Sequence, residues 1–227
     1  MKLLLFDIDS TLLRVDDATR VAMSGAFRDI YGVKDATAGV SFSGRTDPEI
    51  LQESSLSALG RLLQDEELQR LIEQYVSLLS GELERSDLFR LMPGVEKLLT
   101  GLSAWSDVVL GIETGNVEAG ARLKLKRGGI ERFFSVGGYG SDSTDRTEIV
   151  RFAIERAQKL NHDDIPRESI FVIGDAPQDI IAGRNLGINT MAVCTGRADK
   201  NTLLAESPSC ILQDLSDIQA FIQHVGL

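Results

Sequence analysis

Short runs of consecutive apolar residues alternate along this chain with longer stretches of helical period, and their order predicts the architecture. Residues 3–6, 108–112, 134–136, 170–173, 190–193 and 210–212 are apolar runs, the pattern of parallel strands covered on both faces. Between them lie segments of period 3.6. In 148–160, Ile149, Phe152, Ala153 and Ala157 fall on one face, and 176–186 reads the same way. From Asp107 onward strand and helix take turns, which predicts an α/β fold with a doubly wound, Rossmann-like parallel sheet.

Residues 14–90 break this rhythm, with helical patterns and no convincing strand. Leu68, Leu71, Ile72, Tyr75, Leu78 and Leu79 form an i, i+3, i+4, i+7 stripe, and 21–31 offers a second amphipathic helix. The expected organisation is therefore a core built from 1–13 and 91–227 and an inserted α-helical subdomain over 14–90. Met92-Pro93-Gly94 marks the return to the core, since Pro suits the first turn of the helix that carries Val95, Leu98 and Leu99.

Composition narrows the function classes. With 34 acidic against 24 basic residues in 227, the formal charge is −10. That argues against nucleic acid bound through a basic face and requires local cations for any anionic substrate. Cys194 and Cys210 stand far apart with no CxxC, so neither a disulfide framework nor a thiolate zinc site is expected, and both read as buried apolar residues. The first apolar run ends at Asp7 after about four residues, and no segment approaches the ~20 apolar residues of a membrane span. A cytoplasmic protein without membrane contact is the expectation. His162 and His224 read as exposed, and Gly137-Gly138-Tyr139-Gly140 as a turn after a strand.

Asp7-Ile8-Asp9-Ser10-Thr11 places two carboxylates and a hydroxyl directly behind the first apolar run, at the strand end where open α/β sheets carry their chemistry. Gly174-Asp175-Ala176-Pro177-Gln178-Asp179 follows the run 170–173 in the same way. If those two strands are neighbours, Asp7, Asp9 and Asp175 converge, a costly gathering of like charge unless a hard divalent cation sits among them. Magnesium is the natural candidate. Pro177 fits the first turn of the next helix, and Asp179 on that turn is placed to orient the metal's waters or a cationic side chain.

Asp7-x-Asp9-x-Thr11 and Gly174-Asp175-x-x-x-Asp179 resemble the first and last motifs of the haloacid dehalogenase-like hydrolase superfamily. Gly111-Ile112-Glu113-Thr114-Gly115-Asn116 resembles its Thr/Ser motif. Arg146, just before a predicted helix, stands where that family carries a phosphate-neutralising Lys or Arg, with Lys124 or Lys126 as the alternative. The inserted helices resemble the helical cap of the phosphoglycolate-phosphatase-like and β-phosphoglucomutase-like branch, and Gly44-Arg45-Thr46-Asp47-Pro48-Glu49-Ile50 a loop of that cap. Ser10 departs from the Gly usual in capped members, and Ala176 from a common Thr.

What the resemblance implies is a magnesium-dependent phosphatase acting on a small phosphorylated metabolite through an aspartyl-phosphate. Asp7 would be the nucleophile and Asp9 the acid/base. Asp7, Asp9 through its carbonyl, Asp175 and Asp179 would serve the Mg2+. Thr114, Gly115 and Asn116 would bind the phosphoryl oxygens, with Arg146 neutralising their charge and Arg45 contacting the leaving group. The second Asp argues against dehalogenation, which has no leaving-group oxygen to protonate. A β-phosphoglucomutase-like phosphomutase and a phospho-accepting receiver-type signalling module are the alternatives; the latter lacks a cap. Arg45 and Asp47 read equally as an ion pair within the cap loop, and Glu113 has no evident role.

Overall fold

A computed structural model describes residues 1–15, 17–162 and 164–227. The chain opens with β1 (Lys2–Phe6) and β2 (Leu13–Arg14), runs through α1 (Ala18–Tyr31), α2 (Asp47–Leu59) and α3 (Asp65–Arg85), and returns by β3 (Arg90–Leu91). Then follow α4 (Val95–Leu102), β4 (Val108–Thr114), α5 (Glu118–Arg127), β5 (Val136–Tyr139), α6 (Arg146–Asn161), β6 (Ile170–Gly174) and α7 (Pro177–Leu186). The chain closes with β7 (Asn189–Val193), α8 (Lys200–Ala205), β8 (Cys210–Leu212) and α9 (Ile218–Val225).

Six strands form one parallel sheet in the order β5-β4-β1-β6-β7-β8. From β1 the chain winds outward through β4 and β5, then returns to the other side of β1 for β6, β7 and β8. β1 therefore lies at the switch point of a doubly wound, Rossmann-like α/β fold, where the strand ends leave a crevice. Phe6 is in register with Ile112 on one neighbour and with Ile173 on the other, so Asp7, Thr114 and Asp175 all leave the sheet at the same edge.

Both faces of the sheet are covered, which is why its strands read as unbroken apolar runs. Leu3 and Leu5 pack with Val150, Ala153 and Ala157 of α6. Leu4 and Phe6 point the other way, into a core shared with Leu98 and Leu99 of α4 and Phe221 of α9. The Phe6 and Phe221 rings stack with centroids 6.1 Å apart.

Among the described residues, none of 14–90 contributes to this sheet. α1 and α2 pack on α3, whose buried stripe is Leu71, Tyr75, Leu79 and Leu83, with Leu68, Ile72 and Leu78 half-buried. The expectation of no strand in this region needs one amendment, since β2 pairs antiparallel with β3 and sets the entry and exit of the insertion side by side. α2 begins inside the stretch 44–50 that resembles a cap loop and extends it into a helix. Its buried face mixes Ile50 and Leu51 with Ser54 and Ser55, so hydrophobic period carries little signal. Its start is nevertheless written in the sequence as a capping box, Thr46 accepting from the Glu49 amide while the Glu49 carboxylate accepts from the Thr46 amide.

Four further expectations shift. The strand placed at 134–136 forms at Val136–Tyr139, because Glu131–Phe133 coils into a 3₁₀ turn, leaving Phe134 to pack edge-on against Phe6 at 6.3 Å. Of the residues read as a turn, Gly137, Gly138 and Tyr139 lie inside this strand, and Gly140 is the turn that follows it. A Cβ on Gly138 would stand 1.9 Å from the Ile149 carbonyl oxygen, so only glycine lets α6 approach so closely. Pro93 precedes the α4 cap, which is Gly94, instead of entering the first turn. Cys194 and Cys210 are half-buried, not fully buried.

Candidate active site

The turn after β1 sets the first carboxylates. Ser10 adopts the left-handed conformation (φ 68°), its amide donates to the Leu13 carbonyl at 2.8 Å, and the Leu12 and Leu13 amides fold back on the Ile8 carbonyl. A non-glycine residue there costs about 1–2 kcal/mol, which is a physical reason for glycine at this position. The tight turn also aims Thr11 inward, where its hydroxyl donates to Asp175 Oδ1 at 3.0 Å.

Asp7, Asp175 and Asp179 are buried and bring carboxylate oxygens within 4.8 Å of one another. Arg146, at the start of α6, reaches into this group. Its Nη2 lies 2.8 Å from Asp7 Oδ1 and 2.7 Å from Asp179 Oδ1, and its Nε lies 2.8 Å from Glu113 Oε2. The last approach is an ion pair without hydrogen-bond alignment, for Nε and both Glu113 oxygens make no hydrogen bond. Asp179 accepts from Arg146 through Oδ1 and from the Ala176 amide through Oδ2 at 3.0 Å. Asp7 and Asp175 each keep one oxygen without a hydrogen bond among the described residues.

Burial pushes the Asp7 carboxyl up to about 7, Arg146 opposing and the charges of Asp179 and Asp9 adding to the rise. Burial, then Asp7 and Asp179, raise Asp175 well above the usual carboxylate range. Glu113 is raised in the same sense by burial, against the pull of Arg146. Such a cluster is the donor set a hard divalent cation prefers, all oxygen and anionic, with Asp7 and Asp175 offering the uncommitted atoms. The residues fit Mg2+.

A second network holds Asp9. Its Oδ2 accepts from Lys124 Nζ at 2.6 Å and from Asn116 Nδ2 at 2.7 Å, while Oδ1 is buried and has no partner. Asn116 also donates to Thr114 Oγ1 at 2.8 Å and accepts from Lys124. The sequence posed Arg146 and Lys124 as alternatives for one task. In the structure they hold different carboxylates, Arg146 at Asp7 and Lys124 at Asp9, and Lys126 is exposed. Lys124 itself, on α5, is 1 % exposed and shares the buried face of that helix with Gly120, Ala121 and Leu125. Glu113, left without a role above, is the third carboxylate around Arg146.

Asp7, Asp9, Thr114, Asn116, Lys124, Arg146 and Asp175 line a cavity of about 450 Å³ between the sheet edge and the inserted helices. Arg45 lines it too, and its guanidinium is tied to Glu53. No pair with Asp47 forms. Asp47 is buried and turns to the core instead, so the ion pair entertained for the cap loop is replaced by two separate contacts. Gly115 borders the same loop. His162 and His224 lie exposed, away from the cavity.

A parallel sheet with this switch point, an inserted helical unit and acidic strand ends defines a class, and comparison with known proteins names it. Residues 4–193 match the family model of haloacid dehalogenase-like hydrolases. The chain belongs to that family and is an enzyme of the hydrolase class. It is 27% identical over 220 residues to a phosphoglycolate phosphatase of Synechococcus elongatus, spanning 96% of this chain and 95% of that one. Among solved structures it resembles a predicted phosphoglycolate phosphatase of Haemophilus somnus, with TM-score 0.72, 20% identity and 98% of each chain covered. CbbY of Rhodobacter sphaeroides, solved with phosphate, matches with TM-score 0.74 and 15% identity over 96% of each chain. Among the described residues no helix is long and apolar enough to cross a membrane.

Proposed function

We propose that this protein is a magnesium-dependent phosphatase that hydrolyses a small phosphorylated metabolite through an aspartyl-phosphate on Asp7. The observation that carries this reading is the state of Asp9: Lys124 and Asn116 fix one carboxyl oxygen and the other is buried and unpartnered. A carboxyl so fixed is suited to general acid/base work on a leaving oxygen. It has no task in dehalogenation.

In this mechanism an Asp7 carboxylate oxygen attacks phosphorus. The O–P bond forms as the ester P–O bond breaks, and Asp9 gives its proton to the departing oxygen. Water then attacks the phosphoryl group, Asp9 takes its proton, and cleavage of the Asp7–phosphoryl bond releases orthophosphate. Asp7, Asp175 and the carbonyl of Asp9 would hold Mg2+, with Asp179 orienting its surroundings. When bound, the ion neutralises charge on the transferring group. Thr114 and the Gly115–Asn116 backbone receive the phosphoryl oxygens, Arg146 offsets their charge, and Arg45 faces the leaving group. The size of the cavity suits a small ester, and the name of the Synechococcus relative puts 2-phosphoglycolate first among candidates.

Phosphate release from p-nitrophenyl phosphate and from a panel of phosphorylated metabolites led by 2-phosphoglycolate tests the proposal. Turnover should require Mg2+ and fall at least a thousandfold in Asp7→Asn. Metal-independent turnover or a fully active Asp7→Asn variant would overturn it, and isomerisation of a sugar phosphate without phosphate release would replace it with the mutase reading.

A further inference from the structure

The cap loop grips the phosphate-binding loop through one carboxylate that the phosphatase mechanism does not use. Asp47, the first residue of α2, is 3 % exposed although it belongs to a loop facing the cavity. Its Oδ2 accepts from the Val117 amide at 2.9 Å, and the Tyr75 hydroxyl of α3 donates to the same oxygen at 3.3 Å. Its own amide donates to the Gly115 carbonyl at 2.8 Å. Two hydrogen bonds of opposite sense thus join residue 47 to residues 115 and 117, across the core segment that carries Asn116.

An independent contact lies beside it. A Cβ on Gly115 would stand 2.4 Å from the Arg45 carbonyl oxygen, so the two loops touch backbone to backbone, and no side chain fits at position 115 while they do. What they enclose is the network around Asp9: Asn116, between the two latched residues, donates to Asp9 and to Thr114 and accepts from Lys124. An inserted unit that opens to admit substrate has to break the bonds at 115 and 117 together. A buried acceptor left without its donor is costly, so the two loops favour meeting fully or separating fully.

We infer that Asp47 is a positioning residue: its carboxylate latches the inserted helices onto the Gly115–Val117 loop and thereby holds Asn116 in place to orient Asp9. It touches neither the phosphoryl group nor the metal. The closed contact is a property of the fold; only its consequence for turnover rests on the phosphatase reading.

The test compares Asp47→Asn, which keeps an oxygen acceptor, with Asp47→Leu, which is similar in size and accepts nothing. Both are made in a Cys194→Ser, Cys210→Ser background with spin labels at Leu56→Cys on α2 and Lys126→Cys on α5, both exposed positions. The parent and Asp47→Asn should give one narrow inter-label distance, and Asp47→Leu a broadened distribution extending to longer distances. In kinetics with p-nitrophenyl phosphate, Asp47→Leu should lower kcat at least tenfold while Asp47→Asn stays within about threefold of the parent. An unchanged distance in a folded Asp47→Leu variant overturns the latch, whatever the activity. A broadened distance with unchanged kcat overturns the positioning of Asp9. Loss of kcat in Asp47→Asn equal to that in Asp47→Leu shows that charge, not the hydrogen-bond acceptor, matters, and also overturns it. If the parent has no phosphatase activity, the proposed function fails while the distance measurement still decides the latch.

Discussion

Arg146 is a single cation among Asp7, Asp179 and Glu113, and side-chain exposures of 11 % for Arg146 and 0 % for Glu113 leave little solvent to screen them. Removing one member of a buried ionic group leaves uncompensated charge, at a cost of about 3–5 kcal/mol. Arg146→Ala should therefore lose stability on that scale in metal-free buffer at pH 8. Arg146→Lys should lose less, since a lone ammonium keeps the charge but cannot reach Glu113 and the two aspartates with separate nitrogens. Urea unfolding of both variants checks this, and an alanine variant within about 1 kcal/mol of the parent would show that the carboxylates carry little charge there. Which residues would meet was legible for Asp7, Asp175 and Arg146, because each follows or precedes an element whose period is plain. Glu113 was not legible. A carboxylate within a buried strand has no local reason to exist, and its partner lies 33 residues away in the chain.

At the scale of elements, α6 and α7 were legible from period and α7 from its Pro177 start, while α2 was hidden by serines on its buried face and betrayed only by its capping box. The same short stretch carries Asp47, whose partners lie on α3 and on the loop after β4, so only the packed structure shows where its charge goes. Burial pushes its carboxyl up to about 6, with Lys124 opposing and Asp9 adding to the rise; Tyr75 and the Val117 amide, which hydrogen-bond it, oppose as well. A carboxyl whose folded pKa exceeds its unfolded one stabilises most below the unfolded value, and that contribution disappears as pH climbs through the folded one. For Asp47 the window is about pH 4 to 6. Asp47→Asn does not titrate, so its unfolding free energy relative to the parent should rise across this window by up to about 3 kcal/mol, at 1.36 kcal/mol per pK unit, and stay level above it. Unfolding by urea at pH 4.5 and pH 7 measures the change. A gap that is constant or narrows with pH would mean that Asp47 is not desolvated when the loops meet.

Across the whole molecule, stability and chemistry pull in opposite directions. The chain is acidic overall, with formal charge −10, yet it buries Asp7, Glu113, Asp175 and Asp179 at one sheet edge against a single Arg146. No folding requirement calls for this. The raised pKa values of Asp7 and Asp175 express what burying these carboxylates and holding them together costs. A divalent cation that binds the folded chain and not the unfolded one recovers part of that cost, by about 2.7 kcal/mol at a hundred times its Kd. For a chain of this length each kcal/mol moves Tm by about 2–4 °C. Saturating Mg2+ should accordingly raise Tm by about 5–10 °C. Asp175→Asn should reverse both effects. It removes one of the crowded charges, so the metal-free variant should melt above the parent, and it removes a ligand oxygen, so its Tm should respond little to Mg2+. Thermal scans of both proteins with and without Mg2+ decide this. A parent indifferent to Mg2+, or a variant that melts lower without metal and responds equally with it, would mean that the carboxylates are compensated by the protein alone, and that the strand-end cluster is a structural device and not a cation site.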